Sequence, residues 1–124
     1  MARILLIDDD EALIAVFSTA LQEAGFETSV ALDATSGIEK AKEGTPDLIL
    51  LDQVMPDMSG NETIKKLKLD DKTKNIPVII LSNFSQEELV KEAINEGAVN
   101  YIFKYQVEPA DVVNKVKEAL REKS

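Results

Sequence analysis

An α/β fold, a parallel sheet with helices on both faces, follows from three features of the sequence. Residues 4–7, 48–51 and 78–81 are uninterrupted aliphatic runs bounded by turn formers, which reads as strands buried on both faces. The segments between such runs carry apolar residues at helical spacing. The two kinds of segment alternate five times, with no low-complexity linker and no repeat, and such alternation implies a parallel sheet.

In chain order, residues 3–7 form the first strand, stopped by Asp8, Asp9 and Asp10. Asp10 is suited to cap a helix whose apolar residues are Leu13, Val16, Phe17, Ala20, Leu21 and Ala24, with Gly25 as its stop. Residues 26–32 are β-rich but include Glu27, Thr28 and Ser29, as expected of an edge strand. A second helix over residues 33–43 turns Ile38 and Ala41 inward and ends at Gly44. Pro46 leads into the strand 48–51, which delivers Asp52 at its C-terminal end. The loop that follows, QVMPDMSG, is rich in turn formers (Pro56, Asp57, Ser59, Gly60) and long enough to shape a site. A third helix over residues 61–69 buries Ile64 and Leu67, and the polar segment 70–75 is expected at the surface. Pro77 opens the strand 78–81, which ends in Ser82 and Asn83. Residues 85–88, SQEE, read as a capping box for a fourth helix with Leu89, Ala93 and Ile94 as its apolar residues and Gly97 as its stop. The last strand, 99–103, ends in Lys104, and Val112, Val113, Val116, Ala119 and Leu120 form the apolar stripe of a final helix beginning near Pro109.

Of the two common doubly wound orders, five strands fit the flavodoxin-like (βα)5 arrangement, 2-1-3-4-5, which sets strands one and three side by side where the strand order reverses. Ligands bind outside the carboxyl ends of the strands at that point, so Asp8, Asp9 and Asp52 are expected to converge there. The 124 residues suffice for one domain with a substantial core and not for two. A net charge of −9 argues against binding to duplex nucleic acid or an anionic membrane and favours a protein or cation partner. With no cysteine and no histidine, reactivity must come from carboxylates, hydroxyls and lysines. The N-terminus lacks the pattern of a signal peptide and no apolar segment approaches a membrane span, so a soluble cytoplasmic protein is the expectation.

Three neighbouring carboxylates repel one another and titrate upward unless something positive sits among them. A hard divalent cation such as Mg²⁺ resolves the conflict, and it is commonly held by one or two carboxylates together with a phosphate. Ser82 and Lys104, at the ends of the two strands beyond, add a hydroxyl and an ammonium suited to phosphoryl oxygens. A carboxylate can itself accept a phosphoryl group as an acyl phosphate, with the metal and Lys104 neutralising the developing charge.

On these residues the chain resembles a response-regulator receiver domain, the phospho-acceptor module of two-component signalling. The motifs are ILLIDDD after the first strand, LILLDQVMPDMSG around Asp52, IILSN at the fourth strand and YIFK at the fifth, and together they span nearly the whole chain, residues 1–124, as one domain. The resemblance implies phosphorylation of Asp52 by a sensor histidine kinase or a phosphotransfer protein. It implies Mg²⁺ held by Asp8, Asp9, Asp52 and the backbone carbonyl of Val54. Ser82 then turns to the phosphoryl group, Lys104 pairs with it and Tyr101 follows inward, remodelling the surface of helix four, strand five and helix five for a downstream protein target. The family is a switch that catalyses only its own phosphorylation and dephosphorylation.

The chain departs from the family pattern in three ways: Tyr105 replaces the usual proline, Asn83 a commonly smaller residue, and Val54 and Phe84 are apolar where the hydrolytic water passes. The last of these predicts a long-lived acyl phosphate. Three other readings remain. A flavodoxin-like electron carrier shares the topology, but Asp8 to Glu11 would repel a flavin phosphate. A haloacid-dehalogenase-like phosphatase wants a second Asp where Val54 stands. A pseudo-receiver would use the same fold for docking alone. Either a single-domain regulator or part of a longer protein is compatible with the sequence.

Overall fold

A computed structural model describes residues 2–123 and contains five strands and five helices in alternation. They are β1 (Arg3–Ile7), α1 (Glu11–Glu23), β2 (Glu27–Ala31), α2 (Ala34–Gly44) and β3 (Leu48–Asp52), then α3 (Gly60–Leu69), β4 (Val78–Ser82), α4 (Glu87–Glu96), β5 (Asn100–Phe103) and α5 (Pro109–Lys123). A 3-10 turn, Lys104–Gln106, joins β5 to α5. The strands pair in parallel throughout, in the order β2-β1-β3-β4-β5, the flavodoxin-like arrangement expected.

The aliphatic runs show no polar alternation because both of their faces are buried. Leu5, Ile7, Ile49, Leu51, Val78 and Ile80 belong to one core cluster, covered by α2, α3 and α4 through residues such as Ala41, Ile64 and Ala93. Their neighbours Ile4, Leu6, Leu48, Leu50, Ile79 and Leu81 belong to the other, covered by Phe17 and Leu21 of α1 and Val112 and Val116 of α5. Each large aliphatic side chain so buried contributes about 1.5–3 kcal/mol, so these strands dominate the stability of the sheet. Side-chain caps fix where the helices begin. Asp10 accepts from the Leu13 amide at 3.1 Å, Asp33 from Ser36 at 2.7 Å and Ser59 from Glu62 at 3.1 Å. At α5 the Asp111 carboxylate accepts from the Glu108 amide at 2.9 Å.

Several expectations are corrected. Ser85 does not cap α4: the helix begins at Glu87 with Gln86 in the cap position and no side-chain hydrogen bond, so the capping box does not form. The segment before it is instead fastened by bonds to Phe84, described below. Ile94 lies exposed, because α4 packs through Val90 and Ala93. Val16 is likewise exposed on α1, whose buried stripe is Ile14, Phe17 and Leu21. Gly44 closes α2 from within, and Thr45 takes the left-handed cap conformation, φ 39°. Residues 70–75 are not all surface, since Thr73 is buried with its hydroxyl donating to the Leu67 carbonyl at 2.6 Å. Gly25 and Gly97 do stop α1 and α4.

Candidate functional site: an acidic cluster at the carboxyl rim

Strand register assembles the site. Ile7 pairs with Leu51, so the next residues, Asp8 and Asp52, stand side by side at the ends of β1 and β3. Asp52 pairs in turn with Leu81, which sets Ser82 one step further along β4. Ser82 pairs with Phe103, directly before Lys104. The carboxylates of Asp8, Asp9 and Asp52 each offer an oxygen within 4.8 Å of the others. Lys104 Nζ lies 2.8 Å from Asp8 Oδ2 and 3.1 Å from Asp52 Oδ1. Asp8, Asp52 and Lys104 are only 4%, 8% and 9% exposed, while Asp9 faces solvent.

Burial makes these charges expensive. Desolvation, reinforced by the neighbouring Asp8 carboxylate, pushes the Asp52 carboxyl up to about 6 against the pull of Lys104. Burial also disfavours the Lys104 cation, yet the carboxylates of Asp8 and Asp52 outweigh it and hold the ammonium above its ordinary value. Asp8 is further anchored because its Oδ1 accepts from the Asp10 amide at 2.9 Å.

Ser82 is buried, and its hydroxyl accepts from the Phe84 amide at 2.9 Å. Tyr101 is turned inward, its hydroxyl donating to the Phe84 carbonyl at 3.0 Å and its ring centroid 5.6 Å from that of Phe103. Val54 exposes its side chain at the rim, pairs with Ser59 in an antiparallel bridge and hydrogen-bonds Asp52 through its backbone. Asn83, Phe84 and Tyr105 are exposed, and Tyr105 lies in the 3-10 turn.

The family described as the response regulator receiver domain matches residues 4–117. This chain belongs to that family. It is the receiver domain of a two-component response regulator, and the assembled acidic cluster gives the docking-only alternative no support. Among solved structures the receiver domain is similar to a CheY-like response regulator receiver domain protein from Methanospirillum hungatei. The two are 33% identical with a TM-score of 0.91, over 99% of this chain and 96% of that one. The phosphate regulon transcriptional regulatory protein PhoB of Escherichia coli is 34% identical over 96% of this chain and 52% of its own length. The DNA-binding regulator RpaA of Synechocystis sp. is 36% identical over 84% of this chain and 43% of its own length. The chain thus spans about half the length of these relatives.

Four residues outside the expected set shape the site. Gly60 packs on the end of β3 so closely that a Cβ would lie 2.7 Å from the Asp52 carbonyl oxygen, which only glycine avoids. Asp57 accepts from the amides of Ala34 and Thr35 at 3.0 and 2.8 Å and from the Thr35 hydroxyl at 2.6 Å, fastening the rim loop to α2. Those bonds, the Thr35 hydroxyl foremost, hold its carboxyl down to about 2. Gln53 and Asn61 are buried and bonded to each other. Their signal in the sequence is Asn61 itself, a polar residue in line with Ile64 and Leu67 on the buried side of α3.

Proposed function

We propose that this receiver domain, residues 1–124, takes a phosphoryl group on Asp52, with Mg²⁺ held by Asp8, Asp9, Asp52 and the backbone carbonyl of Val54. The observation that carries this reading is the gathering of three carboxylates, two of them paired with one buried ammonium, so that three acids face a single base. An all-oxygen donor set of that kind suits a hard divalent cation. Once bound, such an ion offsets the charge that builds on a transferred phosphoryl group.

The donor is a phosphohistidine on a sensor histidine kinase or a phosphotransfer protein. An Asp52 oxygen forms the new P–O bond as the P–N bond breaks; the electron pair leaves with the imidazole nitrogen, which takes up a proton. Lys104 then pairs with the phosphoryl oxygens, and the Ser82 hydroxyl leaves the Phe84 amide to donate to one of them. Tyr101, bonded to the same Phe84, is the residue through which that movement shifts the surface of α4, β5 and α5 between two populations, for a downstream protein target. The chain catalyses only its own phosphorylation and dephosphorylation.

A charge of −9 disfavours contact with nucleic acid by this domain, and no helix among the described residues is long and apolar enough to cross a membrane. We place the domain in the cytoplasm, where its kinase partners present their phosphohistidine. Val54 and Phe84, apolar and exposed two residues beyond Asp52 and Ser82, supply no group to orient water, so the acyl phosphate is long-lived. Val54→Asn or Phe84→Glu shortens its lifetime in a phosphate-release assay, and a lifetime of seconds in the wild type would contradict this.

Beryllofluoride with Mg²⁺, followed by NMR, tests the assignment. Resonances of the rim and of α4 and β5 shift in the wild type and stay fixed in Asp52→Asn. An equal response in the variant removes Asp52 from its role.

A further inference from the structure

Asp52 and Gln53 are consecutive in the chain and serve opposite faces of the sheet. Asp52 joins Asp8 beside Leu6, Phe17 and Leu50 on the α1 side. Gln53, 1% exposed, meets α3 and β5 on the other. Its amide is fully engaged. Nε2 donates to Asn61 Oδ1 at 3.1 Å and to the Tyr101 hydroxyl at 3.4 Å, and Oε1 accepts from the Asn61 amide at 3.1 Å.

Two branches leave this hub. Through Asn61, whose Nδ2 donates to the Leu89 carbonyl at 3.4 Å, it reaches the first turn of α4, a helix start with no side-chain cap of its own. Through Tyr101 it reaches the Phe84 carbonyl at 3.0 Å, and the Phe84 amide in turn donates to Ser82 at 2.9 Å. Gln53 is therefore bonded directly to Tyr101 of β5 and linked to α4 through Asn61, and each of its bonds uses an atom that a hydrocarbon side chain lacks. A buried network in which every member is satisfied holds one geometry, and a displacement at one end is felt at the others.

We infer that Gln53 is a positioning residue: it couples the end of the acceptor strand to Tyr101 and to the first turn of α4, and carries the effect of phosphorylation there. This rests on the reading of Asp52 as the phospho-acceptor.

The experiment exploits the aromatic content of the chain, which has no tryptophan and two tyrosines. In a Tyr105→Phe background all tyrosine emission comes from Tyr101. Iodide quenching of that emission and hydrogen exchange at residues 88–92 are measured in the full chain for Gln53 and for Gln53→Leu, without any phosphoryl donor. The Leu variant shows stronger quenching and about fivefold faster exchange, the scale of one lost net hydrogen bond, while its thermal transition stays cooperative. Unchanged quenching and exchange would overturn the inference. If Gln53→Leu loses its cooperative transition, Gln53→Met, whose flexible chain fills the same space, is read by the same criteria.

A second arm adds beryllofluoride and Mg²⁺, with binding followed by fluorine NMR. The Gln53 variant binds the analogue, but its Tyr101 and α4 signals no longer move with it. An α4 response equal to that of the parent protein would overturn the inference. Failure of the parent protein to bind the analogue would instead reject the acceptor reading, and the first arm would still decide what Gln53 holds in place.

Discussion

The two ends of the parallel sheet handle charge in opposite ways. At the amino end, Arg3 and Asp47 are knitted into the backbone near water. The Arg3 amide donates to Asp47 Oδ2 at 2.7 Å, and the Arg3 guanidinium donates to the Gly44 carbonyl at 2.6 Å, beside an open groove of about 720 Å³. At the carboxyl end, two acids and one lysine are buried together, with a third acid at the edge. The first arrangement satisfies local groups and holds β1 next to the start of β3. The second holds like charges close at a cost in stability that Lys104 offsets only in part. In a doubly wound sheet the stabilising end and the working end are thus separated along the strands.

Removing the base from the working end has the largest effect. Lys104→Ala leaves Asp8 and Asp52 buried without their counter-charge, and stability in urea with EDTA present falls by about 3 kcal/mol, the low end for a broken buried pair because Asp52 can take up a proton. A loss no larger than at the amino end would erase the contrast.

Removing an acid goes the other way. Asp52 titrates near 6 in the folded chain against an ordinary 3.8, so the folded state binds this proton more tightly than the unfolded state. The stability it contributes is fully present below about pH 4 and is lost as pH rises through about 6. Metal-free Asp52→Asn lacks that slope and is more stable than wild type at pH 7 by about 1–3 kcal/mol. Urea denaturation from pH 4 to 7 measures both, and a destabilised variant at pH 7 would contradict the prediction.

The smallest change is expected at the amino end. Asp47→Ala removes one partly exposed carboxylate from the Arg3 amide and costs about 1 kcal/mol or less. If this loss exceeds that of Lys104→Ala in the same buffer, the division of labour between the two ends is wrong.

The sheet was legible because its signal is crude and redundant: three runs of four aliphatic residues, each stopped by a polar residue at the rim. Since strand ends in such a sheet align, Asp8, Asp52 and Ser82 could be placed from their positions after the runs, and Lys104 from the end of the last strand. What escaped depends on tertiary partners. The SQEE box fails because Ser82 and Tyr101 both bond Phe84 and set the chain path before α4, outweighing a local cap. Thr73 looked like surface because its burial depends on the Leu67 carbonyl six residues earlier. Gln53 gave no periodic signal because its partners come from α3 and from β5, 48 residues away.

Intact mass after incubation with acetyl phosphate and Mg²⁺ addresses the acidic rim most directly. The wild type gains one phosphoryl group and Asp52→Ala gains none. A wild type that gains nothing, or a variant that gains as much, contradicts the assignment of Asp52.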